Sequence, residues 1–281
     1  MIRNKQNKKS ISVIIPTYNS ENTIKRAFDS IFIQSIRNFI EIIVIDDNSS
    51  DNTIKVVEGI KLKKNFGLKL ISNKNNMGAG YCREIGIKIS TGFYITFLDS
   101  DDVWLSNKLY DQIKYMEENQ NAKFVIGDYI REIKFKNRYY YFYINTPKLV
   151  TINSNYYINN IPNSSVILLS EIAKKIKYPN IRVRNDFIYW NKILSSDEKI
   201  KAYNGNPGRA YYIYGSQPGI SDKRSKVLVN QWITYRKYFK YTFIKSFYGV
   251  LINIFFYYKR KILINIFILN KIFNIIKTKS L

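Results

Sequence analysis

Three short polar clusters, each directly after an apolar run, carry the residues best suited to chemistry: Pro16-Thr17-Tyr18-Asn19, Asp46-Asp47-Asn48-Ser49 and Asp99-Ser100-Asp101-Asp102. In the last, three carboxylates crowd into four residues, repel one another and call for a cation to neutralise them. A hard divalent ion, Mg²⁺ or Mn²⁺, suits such a set. It takes one or two protein carboxylates and fills its other octahedral positions with diphosphate oxygens and water. A helix cap is the structural alternative, since aspartates just before Trp104 and Leu105 also suit a helix start. Asp46 and Asp47 end the run Ile42 to Ile45. A carboxylate there accepts from a base ring N–H or a ribose hydroxyl, or closes the turn between strand and helix, with Asn48 or Asp51 shaping that turn.

In parallel α/β sheets, ligands bind beyond the carboxyl ends of strands, so the three clusters have to open on one sheet edge. Strands are expected at Ile11 to Ile15, Glu41 to Ile45, Leu68 to Ser72 and Phe93 to Leu98, with helical spacing at Thr23 to Gln34, Thr53 to Lys63 and Ala79 to Ile89. This βαβ rhythm predicts an α/β fold with a mainly parallel central sheet flanked by helices. Later segments predict a helix over Leu105 to Glu118, strands at Phe124 to Ile126 and within Tyr139 to Tyr143, and a short helix near Glu171 to Lys177. A helix through Phe187 to Leu194 and a strand at Ala210 to Tyr214 follow.

The chain has no His, which removes imidazole bases, Ser-His-Asp hydrolysis and most zinc sites, so any metal is held by oxygen. Its single Cys82 excludes an intramolecular disulfide and reads as a buried structural thiol. A formal charge of +24 points to anionic partners. No acidic residue follows Asp222, while thirteen Lys or Arg lie between Lys223 and Leu281.

Together and in order, Ser12-Val13-Ile14-Ile15-Pro16-Thr17-Tyr18-Asn19, Ile43-Val44-Ile45-Asp46-Asp47-Asn48-Ser49-Ser50-Asp51 and Tyr94-Ile95-Thr96-Phe97-Leu98-Asp99-Ser100-Asp101-Asp102 resemble the family 2 glycosyltransferases with the GT-A fold. The resemblance runs from about Ile11 to about Ser221. It implies a Rossmann-like nucleotide-binding half to about residue 104 and an acceptor-binding half to about residue 221. Pro16, Thr17, Tyr18, Glu21, Asp46 and Asp47 are then expected around the nucleotide, with Asp99 and Ser100 on the nucleotide sugar and Asp101 with Asp99 on the metal. Arg83 resembles the basic residue of the family's Ala-Arg-Asn stretch, from which Tyr81-Cys82 before it and Glu84 after it depart, and is then expected on the nucleotide sugar. Asn185-Asp186-Phe187-Ile188-Tyr189-Trp190 resembles the family's base motif, which implies Asp186 as catalytic base and Trp190 as a wall of the acceptor pocket; Asn185 stands where Glu is common. The stretch Tyr211 to Ser221 resembles a closing strand and Ser-rich loop that lacks the usual Arg or His, and Lys223 or Arg224 stands near to take its place.

The resemblance, together with the tail, implies an inverting, metal-dependent transfer of a sugar from a nucleoside diphosphate, a UDP-sugar first, to a hydroxyl of a glycan or lipid-linked glycan in surface polysaccharide or lipooligosaccharide assembly. The tail from residue 222, with apolar segments Phe247 to Tyr258 and Ile262 to Ile276 split by Lys259-Arg260-Lys261, suits amphipathic helices at an anionic membrane surface. Packing of those helices on protein is the alternative. The expected location is cytoplasmic, peripheral at the inner face of the cell membrane. Two rival readings are a basic nucleic-acid-binding protein, suggested by charge and 16% aromatic residues, and a metal-dependent nucleotidyltransferase. Acidic clusters at strand ends disfavour nucleic acid as a partner.

Overall fold

The computed structural model describes residues 10–135, 138–214, 224–256, 258, 259 and 262. The chain divides into two compact units, Met1–Ile133 with Tyr141–Gly219, and Lys134–Tyr140 with Ile220–Leu281. In the first, β1 (Ile11–Thr17), α1 (Ile24–Phe32), β2 (Ile40–Asp46), α2 (Thr53–Glu58), β3 (Phe66–Ser72), α3 (Ala79–Ile89) and β4 (Tyr94–Phe97) alternate as expected. Strands run β3-β2-β1-β4, all parallel. Every residue of β1 and β2 is buried, because both sheet faces are covered. Val13, Ile15, Ile42 and Val44 pack with Ile24, Phe28 and Ile31 of α1, whereas Ile14, Ile43 and Ile45 pack with Cys82 and Ile87 of α3. Burial on both faces is why these strands read as unbroken apolar runs without polar alternation.

The chain from Val103 to Tyr214 is more irregular. It adds β5 (Val103–Trp104), α4 (Lys108–Glu118), β6 (Phe124–Ile126), β7 (Asp128–Phe135), β8 (Arg138–Ile144), β9 (Leu149–Val150), α5 (Ile152–Asn155), β10 (Ile167–Leu169), α6 (Ser170–Lys175), α7 (Asn185–Ser196), β11 (Ala202–Asn204) and β12 (Ala210–Tyr214). β10 joins β4 antiparallel, and the sheet continues β10-β6-β11-β9 to eight strands, so it is mixed beyond β4. A smaller sheet has the order β5-β12-β7-β8. α4 starts at Lys108 and not at Leu105, because Val103 and Trp104 pair with Ile213 and Tyr212 of β12 and Asn107 takes the N-cap position. The aspartates after β4 are therefore not helix caps.

In the second unit, α8 (Arg224–Ile233) runs into a π-helical stretch, Thr234–Tyr238, and a helix over residues 243–256, α9, follows. Among the described residues no helix is long and apolar enough to cross a membrane. The Ser-rich loop at 215–221, Lys223 and the segment 263–276 lie outside the described residues.

Candidate active site

The loops after β1 and β2 are tied to each other by side chains bonding to backbone. Asn19 N donates to Ser49 Oγ at 2.9 Å, and Ser50 N to Asn19 Oδ1 at 2.9 Å. Ser20 N donates to Thr53 Oγ1 at 2.7 Å, Glu21 N to Asp51 Oδ2 at 3.1 Å, and Asn52 N to Glu21 Oε2 at 2.9 Å. Asn19 and Asn48 take left-handed backbone angles, φ 48° and 65°, which asparagine tolerates better than other non-glycine residues. The result holds Tyr18 out at the tip of β1, 50% exposed, while Pro16 and Thr17 beneath it are buried. Thr17 Oγ1 has no hydrogen-bond partner. Glu21 is occupied in fixing the start of α2.

The aspartates after β2 shape the chain. Asp46 is fully buried and accepts from Ser49 N at 3.0 Å and from Ser49 Oγ, closing the turn; it has no surface to offer a nucleotide, contrary to its expected binding role. Asp47 Oδ1 accepts from Asn73 Nδ2 and Met77 N, both at 2.9 Å, and Oδ2 accepts from Gly78 N at 2.6 Å. Gly78 precedes α3 with φ 90°, a conformation that costs glycine little and other residues more. The Cys82 thiol hydrogen-bonds to the Asp47 carboxylate too, and Asp47 is left only 3% exposed. Burial, then the charge of Asp47, push the Cys82 thiol up to about 12.

After β4 the pattern changes. Ser100 Oγ pairs with Ser20 Oγ at 2.8 Å, joining this loop to the first. Asp102 is buried and accepts from Ser164 Oγ, which itself accepts from Asp99 N at 3.1 Å, while Ser164 O accepts from Trp104 Nε1 at 2.8 Å. Ser164, in a single 3₁₀ turn at Asn163–Ser165, thus clamps the acidic loop from below. Asp99 Oδ1 accepts from Arg83 Nη2 at 2.5 Å and from Asn163 Nδ2 at 3.2 Å. Asp101 accepts from no other described side chain or backbone group; burial first, then the charge of Asp99, raise its pKa against the pull of Arg26 and Arg83.

Arg83 was expected on the nucleotide sugar, but it is buried and bonded within the protein: besides Asp99 it donates from Nη1 to Asn185 Oδ1 at 2.9 Å. Burial alone would lower its pKa; the Asp99 carboxylate more than offsets this and keeps it charged. Arg83 thereby joins the acidic loop to the start of α7, helped by Gly80, where a Cβ would stand 2.5 Å from Pro179 O. Asn185 fills the acceptor role that this bridge needs without adding a second charge.

Asp186 follows at the first turn of α7, after Arg184 in a left-handed conformation, φ 59°. Its Oδ2 accepts from Asn159 Nδ2 at 2.9 Å, and Asn159 is itself fixed by accepting from Ile161 N at 3.2 Å. Trp190 is not at this site. One helical turn further on it is fully buried, its ring 5.7 Å from Phe97 and 5.3 Å from Phe124, so the expectation of an acceptor wall is corrected to a core residue. Asn159, Asn163, Ser164 and Tyr178, whose ring lies 5.8 Å from the Arg83 guanidinium, were not foreseen. Only the polar run Asn159-Asn160-Ile161-Pro162-Asn163-Ser164-Ser165 before an apolar strand could have signalled three of them.

A divalent cation fits this edge. Asp101 is unclaimed, Asp99 keeps Oδ2 clear of the donors that meet Oδ1, and all nearby ligating atoms are oxygens. Among the described residues no group of three or more His, Cys, Asp or Glu is placed to enclose a metal. A carboxylate pair that leaves the remaining positions to phosphate and water is what Mg²⁺ or Mn²⁺ accepts.

Residues 12–185 match the sequence profile of glycosyl transferase family 2. A UDP-Glc:alpha-D-GlcNAc-diphosphoundecaprenol beta-1,3-glucosyltransferase of Escherichia coli, WfgD, is 35% identical over 224 residues, 79% of this chain and 83% of that one. Among solved structures, Staphylococcus aureus TarS 1–349 in complex with UDP-GlcNAc superposes with a TM-score of 0.61 at 22% identity over 86% of this chain and 70% of that one. A mannosyltransferase from Pyrobaculum calidifontis, solved with GDP-Man and Mn²⁺, gives 0.57 at 16% identity over 79% and 61%. These two share the fold. The profile begins in β1 and ends beside Asp186, spanning every strand-end cluster, and with a glucosyltransferase of similar length at 35% identity it makes this chain a glycosyltransferase of family 2.

Proposed function

We propose that the enzyme transfers a sugar, with inversion, from a nucleoside diphosphate to a hydroxyl of a lipid-linked glycan during surface polysaccharide assembly. The observation that carries this reading is the bridge Asp99–Arg83–Asn185, which brings the acidic loop after β4 to the helix start bearing Asp186 across about a hundred residues of sequence. Tyr18, exposed at the tip of β1, and the loop after β2 receive the nucleobase and ribose. Asp99 and Asp101 would hold Mg²⁺ or Mn²⁺, which when bound would supply positive charge against that of the departing diphosphate in place of the general acid a hydrolase needs. Asp186 takes the acceptor hydroxyl's proton on Oδ1 while Asn159 holds Oδ2, and the oxygen attacks the anomeric carbon from the face opposite the nucleotide. A UDP-sugar donor and a diphospholipid-linked acceptor are the first choices, after the substrates in the WfgD name. Such an acceptor keeps the protein peripheral at the cytoplasmic membrane face.

The test is a panel of sugar nucleotides with purified protein and Mn²⁺, following nucleoside diphosphate release and the linkage of the product. Asp186→Asn is expected to lower turnover by about 10³-fold with nucleotide affinity near wild type. Wild-type turnover in that variant removes the base from the scheme, and release of pyrophosphate would mark a nucleotidyltransferase.

A further inference from the structure

Helix α9 is amphipathic in the reverse sense. A helix packed on a soluble domain turns its apolar stripe inward. Here the inward face is small and polar: Ser246 and Gly249 are buried, and Asn253 donates from Nδ2 to Tyr235 Oη at 2.9 Å. The apolar residues Phe243, Phe247, Leu251, Phe255, Tyr258 and Ile262 are all exposed, Phe243 and Phe255 by more than 60%. Their spacing of four, four, four, three and four residues forms one stripe along a helix, and residues 258, 259 and 262 are helical as well. At 100° per residue, Lys259 falls on the flank of that stripe, 40° past Phe255, whereas Lys245 lies 80° past it with its Nζ 4.4 Å from the Tyr241 ring centroid.

We propose that this stripe is a membrane-docking surface, seated in the head-group layer of an anionic bilayer with Lys259 against lipid phosphates. This deepens the reading of a lipid-linked acceptor by naming the surface that meets the lipid. A second copy of the chain is the less suitable occupant, because no acidic residue follows Asp222 and two such tails would bring like charges together. An anionic leaflet supplies both the apolar phase and the opposite charge.

The full chain is to be floated with vesicles of phosphatidylglycerol and phosphatidylcholine, and of phosphatidylcholine alone. Flotation with the anionic vesicles, weakened by salt, is expected. The double variant Phe247→Glu with Phe255→Glu should bind at least about tenfold less, with transfer to a water-soluble acceptor unchanged. Should that variant fail to fold, Lys259→Glu decides, with an expected loss of preference for phosphatidylglycerol of about tenfold or more. A wild-type chain that ignores both vesicles, a folded double variant that floats as well as wild type, or a charge-reversed Lys259 variant that keeps its preference overturns the proposal. So does a light-scattering result in which the apolar stripe holds a dimer. Loss of transfer by a wild-type chain that still floats would fault the glycosyl-transfer scheme and leave the docking surface standing.

Discussion

The loops after β2 and β4 leave the same sheet edge, each with adjacent or near-adjacent aspartates, yet the fold uses them differently. Asp46 and Asp47 accept from Ser49, Asn73, Met77 and Gly78 and so fix the path of the chain into α2 and α3. After β4, Asp102 is taken by Ser164 and Asp99 by Arg83 and Asn163, and Asp101 alone is left unclaimed. An aspartate in a strand-end motif is thus structural to the extent that nearby donors have filled its oxygens, and open to a ligand for what remains.

That contrast breaks if the two kinds of aspartate respond alike to substitution. Asp101→Ala is expected to lower kcat/KM by about 10³-fold and to weaken Mn²⁺-dependent nucleotide binding, with an unchanged thermal midpoint; titration calorimetry with and without metal measures it. Asp128, away from this edge at the start of β7, is the structural extreme: it accepts from Tyr143 Oη, Thr146 N and Oγ1, Asn204 Nδ2 and Gly208 N. Asp128→Ala should cost ~3 kcal/mol of stability in denaturant unfolding. Burial works to raise the pKa of Asp128, but its donors outweigh burial and hold it below the ordinary carboxylate value. Its contribution is therefore present above about pH 4 and is lost as pH falls through the depressed folded value, and Asp128→Asn should flatten that acid limb of the stability curve.

Asp46→Ala should behave like a weaker Asp128: a loss of ~2 kcal/mol from the unpaired Ser49 donors, with the folded fraction keeping turnover within about threefold. A collapse of kcat at full stability would move Asp46 into the site. The smallest effect sharpens the contrast on the base. Asn159→Ala is expected to lower kcat by about tenfold, about 1.4 kcal/mol, with KM for the donor unchanged, because it frees one oxygen of Asp186 to rotate. An equal change in KM would make Asn159 a donor-binding residue.

Much of the first hundred residues was legible because doubly buried strands announce themselves as Ile and Val runs and the turns after them carry Asn, Asp and Gly. The predicted strands there overlap the observed ones within about two residues. β9 and β11, of two and three residues, left no periodic trace, and the start of α4 was misplaced because the pairing of Trp104 with β12 overrides local helical spacing. Trp190 was misplaced for a related reason. Residues 186 and 190 share a helix face, and the spacing does not tell that the first turn emerges at the sheet edge while the next passes beneath Phe97 and Phe124.

The sequence by itself determined which residue types were available for chemistry: no imidazole, one thiol, oxygen ligands in ordered clusters after parallel strands, and an unbalanced positive tail. The tertiary structure decided which of them are free to act. Hydrogen-bond saturation depends on donors from distant segments, such as Ser164 to Asp102, Asn159 to Asp186 and Arg83 to Asp99, and the direction of an apolar helix face depends on what its opposite face packs against. Neither is written in local spacing, because each is a relation between side chains that only folding brings within about 3 Å.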